Sequence, residues 1–265
     1  MGDFCYIYAI VRRGAHIPPT LTGLADAPLS TVAWQDLAAV ISPIGSTTLP
    51  TTPDSLLCHE AVVEALEQAG PTLPVRFGTI LADVAAVTQA IAGKHEVLLA
   101  DLVRVGDKVE LGLTILWDTP AGRSEAQAMQ QTPTATAAPA RSMPGAGTRY
   151  LETRLAHYQR ETAQHNQARA VITQMEQILG LYLLERRYRI LSSPRFAVRA
   201  AYLVQPGHIQ DIQHVVDNMR EERPELRWLL SGPWPPYTFV TGAGKLFQEG
   251  AGLKLDGFTA EGGLA

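Results

Sequence analysis

Residues 73–81 read LPVRFGTIL. A short apolar run punctuated by Pro74 and Gly78 carries the signal of a strand that is mostly buried. Read as a strand, it separates two segments of helical pattern, and helices alternating with strands make the chain α+β. The one charge in the run, Arg76, is the anomaly. It has three readings. Its guanidinium fork could grip an anionic substrate. It could form a structural ion pair with Glu64, Glu67 or Asp83. It could also meet a partner protein on an exposed face. The run holds no other charged residue to complete a substrate site, so the ion pair leads, followed by the partner contact. On the ion-pair reading, Arg76→Ala lowers thermal stability before it alters anything else.

Working outward, the segment before this run is TPDSLLCHEAVVEALEQAG, residues 52–70. Thr52 or Asp54 can cap a helix, Pro53 suits its first turn, and Gly70-Pro71 ends it. Leu56, Val63, Leu66 and Ala69 recur at helical spacing, which leaves Glu60, Glu64 and Glu67 as a solvated face. Further upstream, FCYIYAIV (4–11) reads as a strand buried on both faces, and STVAW and LAAVIS form a hairpin around Gln35-Asp36. Downstream, Asp83 caps a helical stretch with a break at Gly93, and KVELGLTILW (108–117) is a strand. The expected fold for residues 1–118 is a ferredoxin-like α+β unit with an extra strand.

From 119 to 148 the composition turns to Ala, Thr, Pro and Gln with almost no large apolar residue. Such a segment buries too little surface to offset ordering entropy and reads as a flexible linker, with a short helix possible over 124–131. A second α+β unit is expected over 149–240. It begins with a long helix from about Tyr150 to Glu185, seamed by Leu151, Leu155, Tyr158, Ile172, Met175, Leu179 and Tyr182. That spacing suits packing on the unit's own sheet or docking of a partner helix. A strand at 195–204 follows, then a helix with Ile209, Ile212, Val215, Val216 and Met219 on one face. Two strands, LRWLLSG and PYTFV, complete the unit, and 241–265 is a Gly-rich tail.

Composition narrows the function. Of 265 residues, 46% are hydrophobic and 18% charged, with a net charge of -4, so a dedicated nucleic-acid surface is not expected. Cys5 and Cys58 read as free thiols of a cytosolic protein. No secretory signal and no apolar span of bilayer length is visible, which points to a cytoplasmic, membrane-free chain.

Catalytic motifs are not found. The seven histidines make no HExxH or zinc spacing. Gly242-Ala243-Gly244-Lys245 lacks both the leading glycine and the hydroxyl of a phosphate loop, since Phe239 and Leu246 stand there. Cys58 and His59 are neighbours on a helix and point about 100° apart, so they do not pair as thiolate and imidazole. Neither a cofactor nor a small-molecule substrate is expected.

LPVRFGTIL together with SGPWPPYTFV (231–240) resembles the gas vesicle protein GvpF/GvpL family, as do the opening YIYAIV and LAAVIS. The resemblance runs over most of residues 4 to 240. It implies a non-enzymatic accessory or minor structural protein of the gas vesicle, at work in the cytoplasm and on the vesicle. The partners it implies are the hydrophobic major shell protein and other accessory proteins. The residues carried over as partner-contact candidates are Arg76, Phe77, Trp234, Pro235, Pro236 and Tyr237. Trp234, flanked by prolines, is the best anchor, although a tryptophan there suits a core equally well. The alternatives are a general interaction module using the long helix, and an enzyme on a ferredoxin-like scaffold.

Overall fold

The computed structural model describes residues 4–117, 146–191 and 197–241. The linker of 119–148 lies outside these residues except for its last three, and the tail of 241–265 except for Thr241. The possible helix at 124–131 and the Gly242–Lys245 run also lie outside them. The chain forms two compact α+β units. Among the described residues the first takes 4–111, 202–209 and 232–241, and the second takes 112–117, 146–191, 197–201 and 210–231.

In the first unit, β1 (Phe4–Arg12) pairs antiparallel with β3 (Leu37–Ile44), and β3 pairs with β2 (Ser30–Trp34). Gln35 turns this hairpin with φ 51°. On its other side β1 receives two short antiparallel pieces, β4 (Thr72–Pro74) and β5 (Ile80–Leu81). Helix α1 (Pro53–Ala69) lies against β1 and β4, while α2 (Val84–Gly93) lies against β1, β2, β3 and β5. Covered on both faces, β1 is buried from Cys5 to Val11, which is why its sequence runs apolar without alternation. The expected capping is present: Thr52 and Ser55 form a reciprocal box at the start of α1, and Asp83 Oδ1 accepts from the Ala86 amide. The helical stretch after Asp83 breaks at Lys94, and α3 (His95–Val105) follows.

Two local readings change here. The buried face of α1 is His59, Val62, Val63 and Leu66, whereas Leu56 is 38% exposed. Glu60 and Glu67 are correspondingly half-buried, and only Glu64 is exposed. LPVRFGTIL is also no continuous strand, because its middle leaves the sheet between β4 and β5.

The second unit follows the order β6 (Val109–Trp117), α4 (Ala146–Leu179), β7 (Leu183–Leu191), β8 (Ala197–Val204), α5 (Ile209–Glu222) and β9 (Leu226–Trp234). Its sheet is ordered β7-β8-β6-β9. A βαββαβ chain with that strand order is the split βαβ, ferredoxin-like arrangement. The chain is thus built of two α+β units, as the sequence leads one to expect. Every pairing of β1 to β5 is antiparallel.

The long helix ends at Leu179, not near Glu185, and the chain turns at Gly180 into β7. Ala168, Val171, Ile172, Met175 and Leu179 are buried, so this half of the seam packs inside the protein. Leu151, Leu155 and Tyr158 are 65%, 56% and 67% exposed. Length accounts for the difference: a helix of 34 residues runs roughly 50 Å, while strands of nine residues run roughly 30 Å. PYTFV is not a strand. Beyond Trp234 the chain makes tight turns, with Tyr237 N donating to Pro235 O and Phe239 N to Pro236 O.

Candidate functional site

The interruption of LPVRFGTIL is a defined excursion. Val75 N donates to Tyr8 O at 2.9 Å, and Ile7 N donates to Thr79 O at 3.0 Å. Adjacent residues of β1 are therefore bridged by residues four apart on the facing chain, and Arg76, Phe77 and Gly78 are pushed out of the ladder. Gly78 turns with φ 82°, a region that suits glycine. Its amide donates to Tyr6 Oη at 3.1 Å, and Thr79 Oγ1 donates to Arg76 O at 2.7 Å. β1 answers with a bulge of its own, since its pairing with β3 skips a residue between Ile7 and Ala9.

Beneath the excursion lies His59, fully buried on α1. Its ring is 5.7 Å from Phe77 and 5.7 Å from Tyr6, both edge-on, and stacks at 5.6 Å on Tyr8 and at 6.4 Å on Tyr237. Four hydrogen bonds run through this hub. Gly78 N donates to Tyr6 Oη, which meets His59 Nδ1 at 2.9 Å. His59 Nε2 meets Tyr237 Oη at 3.2 Å, and Tyr237 Oη donates to Glu60 Oε1 at 3.1 Å.

Counting protons assigns the imidazole. Tyr237 has one hydroxyl proton and gives it to Glu60, so Nε2–H must donate to Tyr237, and Nδ1 then accepts from Tyr6. A single neutral tautomer satisfies the whole chain. Burial holds the His59 pKa down to about 4. Burial also raises Tyr6 and Tyr237 above the ordinary phenol range, and Glu60 adds to the rise at Tyr237. All these groups therefore keep their protons fixed near neutrality, as suits a structural joint.

The C-terminal segment is clamped further along. Glu110 accepts from Thr238 N at 2.8 Å and Thr238 Oγ1 at 2.6 Å. The buried Asp101 takes Thr241 N at 2.7 Å, and Arg104 donates to Phe239 O at 2.8 Å. Phe239 is fully buried. At Gly232 the backbone has φ 107°, and a Cβ there would stand 2.8 Å from Glu110 O, so only glycine fits.

The two sequence motifs meet at His59, although some 150 residues separate them in the chain. Phe77 and Tyr237 face the hub, and each is partly buried. Pro235 and Pro236 are buried and offer no surface. Arg76 is exposed at the apex of the excursion. Among the described residues it makes no ion pair with Glu64, Glu67, Asp83 or any other acid, which corrects the ion-pair reading. An exposed turn has no need to neutralise it. Trp234 is 48% exposed, while Trp228 is the buried tryptophan at 3%. Sequence reasoning did not give His59 this place. The available signal was its spacing from Val62, Val63 and Leu66, which sets an imidazole on an apolar helix face.

An open cleft of about 410 Å³ lies over Leu66 and Thr72, rimmed by Arg12, Arg13 and His16. Arg12 already reaches Asp36 at 3.7 Å, and the cleft does not include the His59 hub. Among the described residues no group of three or more His, Cys, Asp or Glu side chains could hold a metal ion, and no helix is long and apolar enough to cross a membrane.

The sequence model of the family described as "Gas vesicle synthesis protein GvpL/GvpF" matches residues 4–241. The chain belongs to this family. Gas vesicle protein L of Streptomyces sp. (strain CB03234) is 26% identical over 255 residues, covering 89% of this chain and 92% of that protein. Gas vesicle protein F of Haloferax mediterranei is 25% identical over 245 residues, covering 91% and 94%. The crystal structure of GvpF from Anabaena sp. PCC7120 superimposes with a TM-score of 0.68 at 20% identity, covering 90% of this chain and 96% of that one. GvpF from Microcystis aeruginosa does so at 0.66 and 19% identity, covering 90% and 99%. The GvpL/GvpF fold is thus shared over nearly the whole length. The family is one of structural and assembly proteins and not of enzymes. Membership also identifies other gas vesicle proteins as the class of partner.

Proposed function

We propose that this chain acts in gas vesicle formation by binding the hydrophobic major shell subunit, during nucleation and growth or as a minor component of the vesicle, in the cytoplasm where vesicles assemble. Other vesicle accessory proteins are further partners on this reading. The observation that carries it is Trp234. A large indole left 48% exposed, between Pro233 and the buried Pro235, is held rigid on both sides. Such a side chain contributes apolar contact area and loses little conformational entropy on binding. A subunit apolar enough to line a gas space needs that kind of contact before it is assembled. Of the candidate contact residues, Trp234 and Arg76 are the exposed ones, while Phe77, Pro235, Pro236 and Tyr237 act by fixing the backbone that presents them.

The test is co-expression with the major shell protein, followed by co-purification and cross-link mapping. Shell protein should co-purify with the wild-type chain, cross-links should include 232–237, and Trp234→Ala should reduce recovery about tenfold while leaving the melting temperature within a few degrees. Failure of the wild-type chain to retain any shell protein would sink the reading.

A further inference from the structure

We propose that Arg76 is a carboxylate-recognition residue, and that it takes an Asp or Glu side chain of the shell subunit. The inference rests on the reading that this chain binds that subunit.

The backbone around Arg76 is unusually well determined for an exposed turn. Leaving the ladder forfeits strand pairing at residues 76–78, and the protein replaces it with other bonds. The Gly78 amide is held by Tyr6 Oη at 3.1 Å, Thr79 Oγ1 holds Arg76 O at 2.7 Å, and ladder bonds at Val75 and Thr79 fix both ends. Phe77 sets its ring 5.7 Å from His59, beside the network that also holds Tyr237. All these anchors use Phe77, Gly78, Thr79 and main-chain atoms. The Arg76 side chain takes part in none of them, and among the described residues it has no ion pair. Packing would be served equally by any polar residue at the apex. The fixed backbone sets where the guanidinium can reach, and no acid among the described residues compensates its charge, which leaves it available to an outside anion.

The kind of anion follows from what surrounds it. Residues 75–81 contain no second basic side chain, and the nearby Gly78 N–H is already committed to Tyr6. A phosphate dianion would find one cation and no amide cradle. A singly charged carboxylate matches one guanidinium, two parallel N–H donors meeting two oxygens. Trp234 stands three residues before Tyr237, whose ring stacks 6.4 Å from His59. The buried hub therefore packs against the turn that carries Arg76 and also holds Tyr237. The fitting partner segment presents an exposed Asp or Glu.

The experiment uses the full chain co-expressed with the major shell protein, comparing wild type with Arg76→Ala, Arg76→Lys, Arg76→Glu and Trp234→Ala. We expect Arg76→Ala to weaken retention of the shell protein about tenfold, Arg76→Lys about threefold, and Arg76→Glu to abolish it. Raising the salt should weaken the wild type more than Arg76→Ala, since only the wild type has the ion pair to screen. Melting temperatures of the three Arg76 variants should stay within about 1–2 °C of wild type. Replacement of one shell-protein Asp or Glu by Lys should restore binding to Arg76→Glu. Retention of shell protein by Arg76→Glu at the wild-type level, with Trp234→Ala defective, overturns the inference and leaves the binding reading standing. A wild-type chain that retains no shell protein overturns both. A fall in melting temperature of more than about 5 °C in Arg76→Ala would return Arg76 to a structural role.

Discussion

Replacing Glu67 by Gln should stabilise this protein, by an amount that grows as pH rises from about 4.5 to 7. Glu67 lies in the last turn of α1, half-buried, and its pKa is pushed up to about 7, chiefly by burial and further by Glu60 and Glu64. In the unfolded chain it returns to 4.5. Between those two values the folded state holds a proton that the unfolded state has lost, so the Glu67 contribution to stability falls as pH rises and reaches its full cost above about 7. At about 1.4 kcal/mol per tenfold change in proton affinity the cost is about 3.4 kcal/mol, and partial solvent exposure reduces it to about 2 kcal/mol. His59 works in the opposite sense. Its pKa falls from 6.5 to about 4 on folding, so its contribution is whole above 6.5 and is lost as pH drops toward 4. The two slopes oppose each other between pH 4.5 and 6.5, which should leave the wild type nearly flat there. Urea unfolding of wild type and Glu67→Gln at pH 5 and pH 8 reads both effects. The variant should gain about 2 kcal/mol at pH 8, gain little at pH 5, and show a stability that climbs with pH across the His59 range. Equal gains at the two pH values, or none, would refute the reasoning, because a neutral isostere can differ from Glu67 in this way only through the charge.

Two further substitutions probe the joint and its clamp. Tyr237→Phe deletes the acceptor of His59 Nε2–H and the donor to Glu60, and should lower stability by about 2 kcal/mol, seen as a drop of about 4–8 °C in melting temperature; an unchanged melt would show that the chain of bonds through His59 carries no load. Gly232→Ala places a Cβ 2.8 Å from Glu110 O at φ 107° and should cost about 2 kcal/mol or more, read as a lower urea midpoint with an unchanged slope.

How much of this was legible beforehand differs from element to element. The strand from Phe4, the hairpin at Gln35-Asp36, the Thr52 and Asp83 caps and the apolar face of α5 were all readable, because each is fixed by residues a few positions apart. β7 was missed, since LLERRYRIL follows a long helical pattern with only Gly180 to mark the stop. PYTFV reads as a strand in sequence, yet Glu110, far off in the chain, bonds Thr238 and holds the segment as turns. The half of the α4 seam that packs could not be told from the half that does not, because the pattern is the same and only the extent of the sheet decides.

The amino-acid sequence alone determined the class of fold, most element boundaries and the family, since these rest on local periodicity, capping and short ordered motifs. Tertiary structure decided which residues those motifs serve. It put Arg76 in water, buried Pro235 and Pro236, left Trp234 half outside, and joined Tyr6, His59 and Tyr237 into one polar hub with Phe77 packed against it. The physical reason is that a buried hydroxyl or imidazole must find a partner wherever the fold brings one, and no spacing along the chain encodes which partner that will be.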